Sequence, residues 1–190
     1  MRGNQRIALT KRLLQEALIR LLEKKPLDKI TVTELCSEAG INRATFYRHY
    51  NIPRDVLLDM ETQFNENLNT ALDAISGTDV TGYMNELMTY LSNHVDLVKI
   101  FLENNSADDF MRQLNKMFDN FLNGNNNFSL LSDADAKSVK LIKTYITGGG
   151  YYMLRQWLLE DIQKTPEEIA GLVLKLVNHT VTDFSPKTGA

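Results

Sequence analysis

Ile30-Thr31-Val32-Thr33-Glu34-Leu35-Cys36-Ser37-Glu38-Ala39-Gly40-Ile41-Asn42-Arg43-Ala44-Thr45-Phe46-Tyr47-Arg48-His49-Tyr50 is the stretch that decides the fold. It reads as two short helices joined by a tight turn. Thr31 followed by Glu34 forms a capping box, in which the Thr31 hydroxyl accepts from the Glu34 amide and the Glu34 carboxylate reaches back to Thr31. A helix therefore starts at Val32, with Leu35, Cys36 and Ala39 along one side. Gly40 follows, where a left-handed turn costs least. Asn42 is the expected N-cap of a second helix, from Arg43 to about Tyr50.

On that second helix Phe46 and Tyr50 share a face and are expected to pack inward, with Ile41 tucked back into the core. Arg43, Ala44, Thr45, Tyr47, Arg48 and His49 cover the other faces. Arg bonds guanine edges or phosphates, Thr and Tyr hydroxyls suit phosphates, and Thr and Ala methyls meet thymine methyls. The helix start itself favours an anion. The alternative is a solvated helical hairpin with no ligand. Solvated faces are usually rich in Lys and Glu, and two aromatics and a His on one short helix argue against it.

The formal net charge is −3, which by itself does not point to nucleic acid. Its distribution does: residues 1–50 hold ten Lys/Arg against five Asp/Glu, and residues 51–190 hold eleven against nineteen. Basic charge is thus concentrated around the helix-turn-helix, as a footprint on DNA requires, although chance asymmetry gives the same excess.

The same residues resemble a known family. Ile30-Thr31-Val32-Thr33-Glu34-Leu35, then Ala39-Gly40-Ile41-Asn42-Arg43-Ala44-Thr45-Phe46-Tyr47-Arg48-His49-Tyr50, look like the DNA-binding domain of the tetracycline-repressor (TetR/AcrR) family, over roughly residues 5–60. The resemblance implies a homodimer on a pseudo-palindromic double-stranded DNA operator, with a domain behind the reader that senses a small-molecule effector. It implies that positions matching Thr33, Arg43, Ala44 and Thr45 approach bases, and that those matching Asn42, Tyr47 and His49 hold phosphates. One departure stands out. Where many members carry Lys near the start of the next helix, this chain has Pro53, and Arg54 is the candidate to take over that phosphate contact. The C-terminal part resembles the branch of the family that includes regulators of dihydroxyacetone utilisation, so a co-regulator or activator acting through a protein partner is the alternative to a ligand-responsive repressor.

The rest of the chain reads as all-α. Residues 5–24 form an amphipathic helix on Leu14, Ala17, Leu18, Leu21 and Leu22, ended by Pro26. Arg6, Lys11 and Arg12 near its start reach either phosphates or solvent. Pro53 suits the first turn of a fourth helix that runs to about Ile75. Helical patterns then cover Val80 to about Asn93, Val95 to Glu103, and residues 107–122, followed by a polar loop at Gly124-Asn125-Asn126-Asn127. Ser132 is the expected cap of a long helix from Asp133 to about Asp161, and Thr165-Pro166-Glu167-Glu168 starts a last helix reaching about Thr180. This makes about nine helices: a DNA-binding domain over 1–52, a regulatory and dimerisation domain over 53–182, and a tail over 183–190.

Gly148-Gly149-Gly150 is no phosphate loop, since no strand precedes it and no Gly-Lys-Ser/Thr follows. Within a helix each such Gly costs about 1 kcal/mol relative to Ala, so a packing reason is expected, namely close approach of another helix. In the resembled family the last two helices pair with those of a second subunit, which makes Gly149, Tyr152, Trp157, Leu172 and Leu176 the candidate dimer residues; ordinary internal core is the alternative. Tyr83, Met88, Phe110, Met117 and Tyr145 are the candidate effector contacts, as soft or aromatic groups suit varied small molecules. His49, His94 and His179 are isolated and Cys36 is the single cysteine, so neither a metal site nor a cofactor nor a nucleophilic triad is expected. No apolar run of about 18 residues is present, and the N-terminus lacks the apolar core of a signal peptide. A cytoplasmic protein with no membrane association and no enzymatic activity is expected.

Overall fold

Helix α1 (Arg2–Leu22) buries the stripe read from the sequence, Leu14, Ala17, Leu18 and Leu21, against α2 (Val32–Ala39). Burying each large side chain stabilises by roughly 1.5–3 kcal/mol, so this pairing is what holds the N-terminal helices together. The computed structural model describes residues 2–75, 79–104, 135–160 and 162–183. Among them are eight α-helices and one 3-10 turn at Leu27–Lys29, and no strand. The remaining helices are α3 (Arg43–Phe46), α4 (Pro53–Asp73), α5 (Val80–Asn93), α6 (Val95–Asn104), α7 (Ala136–Leu159) and α8 (Pro166–Asp183). The helix predicted over 107–122 and the Gly124–Asn127 loop lie outside the described residues.

The chain divides into two compact units, with the boundary between Asn67 and Leu68, inside α4. In the first, Leu35, Cys36, Phe46, Tyr50, Val56, Leu57 and Met60 complete the core begun by α1. In the second, α5 lies along α8, and α7 packs on both α6 and α8. Met84, Leu87, Met88 and Leu91 from α5 are buried, as are Ile169, Ala170, Val173, Val177 and Val181 from α8. From Ala170 the last four recur at three- and four-residue steps, with Ile169 one turn before Val173, the spacing of one helix face. Trp157 from α7 is buried too, and its indole N–H donates to the Lys164 carbonyl at 3.0 Å, closing the turn into α8.

Two element boundaries differ from expectation. The recognition helix ends at Phe46, four residues short of Tyr50. From there the chain tightens into a turn in which the Arg48 and His49 amides bond to carbonyls three residues back, Thr45 and Phe46, at 3.3 and 2.9 Å. The long helix starts at Ala136 with Asp135 as its cap, while Ser132, the expected cap, lies outside the described residues. The Asp135 carboxylate accepts from the Lys137 and Ser138 amides at 3.0 and 3.1 Å and also takes the Ser138 hydroxyl. A carboxylate meets the positive end of a helix more favourably than a hydroxyl does.

Candidate nucleic-acid interface

The local signals of the helix-turn-helix are realised atom by atom. Thr31 Oγ1 accepts from the Glu34 amide at 3.2 Å, while the Glu34 carboxylate accepts from the Thr31 amide at 3.0 Å. Lys25 pairs with the same carboxylate, and these bonds together lower the Glu34 pKa to about 2, the Lys25 bond contributing most. Gly40 has φ +65°, and the Ile41 amide returns to the Cys36 carbonyl at 2.9 Å. Asn42 Oδ1 accepts from the Ala44 amide at 2.8 Å, which fixes the start of α3. The amide nitrogen of Asn42 remains as its donor.

Around this frame Thr33, Asn42, Arg43, Ala44, Tyr47, Arg48 and Arg54 are exposed, and Thr45 and His49 are half-buried. Phe46 and Tyr50 are buried, so the inward and outward faces of α3 divide as the sequence pattern requires. The Arg43 guanidinium lies 6.0 Å from the Tyr47 ring centroid, and the Phe46 ring meets Tyr47 edge-on at 5.5 Å. These contacts limit the rotamers open to both exposed side chains. Cys36 is buried on α2, and burial raises its thiol pKa in spite of nearby Arg43, so the thiolate is disfavoured there.

Basic charge is sorted by partner. Lys11 bonds Asp59, Arg12 pairs with Glu16, and Arg20 pairs with Glu38, so these cations of α1 are balanced within the unit. Lys11, expected to face phosphate or solvent, is instead a structural cation. Arg43, Arg48 and Arg54 form no salt bridge among the described residues. Positive charge outside any salt bridge among the described residues therefore lies on and beside the outer face of α3, with Glu61 acting electrostatically on Arg54 alone. Sequence reasoning missed two carboxylates on α4. Asp55 accepts from the Asn51 and Ile52 amides at 2.7 and 3.1 Å and so caps that helix, which an acidic residue just after Pro53 signals. Asp59 gathers donors from several elements, and nothing local in the sequence marks it.

The residues assigned to dimerisation and to an effector are distributed differently from those of the reader. Along α7, Leu141 and Tyr145 are each 71% exposed and Tyr152 is 65% exposed, with exposed Gly149 between them. On α8, Leu172 and Leu176 are 38% and 52% exposed. A groove between these helices is lined by Tyr145, Ile146, Gly149, Met153, Val173 and Leu176. Trp157 belongs to the chain's own core, away from that stripe. Of the effector candidates, Met88 is wholly buried and Tyr83 is half-buried on α5, its phenol pKa raised by burial and then by Asp73. Tyr145 stands on the exposed stripe instead of beside them, and Phe110 and Met117 lie outside the described residues. The reader residues lie on and beside α3, and of the described effector candidates Tyr83 and Met88 share α5 while Tyr145 is on α7. Among the described residues no group of His, Cys, Asp or Glu has metal-binding geometry, and no helix is long and apolar enough to cross a membrane.

Comparison with known proteins agrees with this architecture. Residues 14–52 match the family described as bacterial regulatory proteins, tetR family, and residues 78–179 match the one described as transcriptional regulator C-terminal region. A TetR transcriptional regulator from Streptococcus agalactiae 2603V superposes with a TM-score of 0.69 at 20% identity, covering 93% of this chain and 98% of that one. The fatty acid degradation regulator FadR from Bacillus halodurans gives 0.63 at 14% identity, covering 88% and 97%. The dihydroxyacetone kinase operon activator DhaS gives 0.58 at 15%, covering 93% and 98%. No curated protein sequence matches the chain. The chain belongs to the TetR family of transcriptional regulators, which are DNA-binding proteins and not enzymes.

Proposed function

We propose that this regulator binds a pseudo-palindromic operator as a homodimer in the cytoplasm, and that it represses transcription until a small-molecule effector binds its second unit. Thr33, Arg43, Ala44 and Thr45 approach bases, while Asn42, Tyr47, His49 and Arg54 hold phosphates; Arg48 adds charge beside them. The observation that carries the reading is the outer face of α3. With the turn that follows it, that face combines exposed Arg43, Ala44, Tyr47 and Arg48 with anchored Phe46 and Tyr50, and its arginines form no salt bridge among the described residues. A face of that kind gains most from an anionic surface that also offers base edges.

Two copies would set their recognition helices one DNA turn apart, about 34–36 Å centre to centre. Both heads must dock at once, so a change in their spacing releases the dimer. The α7–α8 stripe supports the dimer. A Cβ built at Gly148 or Gly149 meets nothing within 4 Å among the described residues, which supports a close approach by a second copy there. The effector reading has less behind it: Tyr83 and Met88 share α5, and Tyr145 is better used on the stripe.

The test is selection of bound duplexes from a random DNA pool at near-physiological salt. An enriched inverted repeat supports the reading, and a reporter carrying that repeat then gives the sign of regulation. No enrichment by folded, dimeric protein overturns it in favour of a co-regulator working through a protein partner. That second reading draws on the sequence resemblance to the dihydroxyacetone-regulator branch and on the activator named among the structural neighbours.

A further inference from the structure

Helix α3 is only four residues long and is followed by a turn, so its backbone alone cannot hold its orientation. Two buried side chains anchor the segment. Phe46 does so through apolar contact, which resists removal from the core but not rotation. Tyr50 does so through its hydroxyl, which donates to Asp59 Oδ2 on α4 at 2.7 Å. The same carboxylate accepts from Lys11 Nζ of α1 at 2.9 Å and from Gln63 Nε2, one turn further along α4, at 2.9 Å. Lys11 also lies 5.7 Å from the centroid of the Tyr50 ring. One half-buried carboxylate thus ties α1, α4 and the end of the recognition segment together.

We infer that Asp59 is a positioning residue for DNA reading, the joint through which α4 sets the orientation of the recognition segment by way of Tyr50. The inference rests on the proposed DNA-reading function. Its physical basis is directionality. A charge-assisted O–H···O bond has a narrow preferred geometry, whereas an apolar contact does not. Burial opposes the charge on Asp59, but the bonds from Lys11, Tyr50 and Gln63 outweigh it and hold the pKa low, so the acceptor remains an anion. The α4 helix begins at Pro53, three residues after Tyr50, so the Asn51-Ile52 link leaves little slack between Asp59 and Tyr50.

Asp59→Asn and Tyr50→Phe test this. Asn places an amide N–H2 where an anion met Lys11 and Tyr50, and Phe deletes only the hydroxyl, so the second variant serves even where the first folds poorly. Each is expected to weaken binding of the selected repeat about tenfold, with the double variant little worse than either single one. Binding to unrelated duplex at low salt should stay within about twofold, because phosphate contacts tolerate small rotations that base contacts do not. Hydrogen exchange of the His49 and Tyr50 amides in DNA-free protein should quicken in both variants. Unchanged repeat binding in folded variants overturns the inference, and so does an equal loss on all DNA in proportion to the unfolded fraction. If the wild type selects no repeat, the functional reading fails separately, and the exchange rates alone decide the joint: unchanged rates sink it, faster ones support it.

Discussion

Arg43 and Arg54 carry the same charge, yet they should answer to different features of DNA. Arg43 opens α3 and stands over Tyr47, where its fork can meet a base edge. Arg54 is in the first turn of α4 and is exposed, outside the helix proposed to enter the groove. Arg43→Ala should therefore cost about 1–3 kcal/mol on the preferred sequence and relax selection at one base position. Arg54→Ala should weaken all duplexes alike and reduce the salt slope of log K by about one. Titrations over a salt series separate the two, and an unchanged slope for Arg54→Ala would leave it without a phosphate. Glu34 gives a prediction in pH. Its folded pKa lies near 2, below the ordinary 4.5, so its contribution to stability is complete above about pH 4.5 and is lost as pH falls towards 2. The gap in Tm between wild type and Glu34→Gln should accordingly narrow across that window; a gap that is flat in pH would mean that the capping carboxylate does not stabilise the fold.

At the scale of elements, the turn between α2 and α3 is the most exacting. Gly40 is the one described glycine with positive φ, and a Cβ there touches nothing within 4 Å among the described residues. Strain alone thus sets the cost of Gly40→Ala, about 1–2 kcal/mol by denaturant melting, with no steric addition. A loss well above that would reveal a shift of the turn. The features legible in the sequence are of this kind, signals spanning three or four residues. The box at Thr31 and Glu34 is present, and Thr165 and Glu168 exchange the same pair of bonds at the start of α8. Helix periodicity also sorted Phe46 and Tyr50 inward and Arg43, Tyr47 and Arg48 outward. What escaped depends on distant partners or on competition between neighbouring signals. Lys11 meets Asp59 across 48 residues of sequence, so it looked like a solvated or phosphate-facing cation. The early end of α3 follows from three-residue hydrogen bonds that no single residue announces. Asp135 caps the long helix through two amides and a hydroxyl, from a position the sequence pattern placed inside the helix.

Over the whole molecule the strongest consequence concerns the exposed stripe of α7 and α8. Gly149 is mid-helix, and replacing it with Ala should stabilise α7 by up to about 1 kcal/mol, since the new methyl meets nothing within 4 Å among the described residues. If a second copy packs on Leu141, Tyr145, Tyr152 and Leu176, the same methyl lies where two backbones approach most closely, and it pushes them apart. The substitution therefore has opposite signs for the separate chain and for the dimer. A dimer binds its own folded state, so the wild-type Tm should rise with protein concentration. The Gly149→Ala curve should start higher at dilution and climb less, the two crossing at intermediate concentration. Sedimentation equilibrium should show the matching loss of dimer affinity. Curves that stay parallel would place Gly149 away from any interface, and that glycine would then have no account in packing among the described residues or between copies.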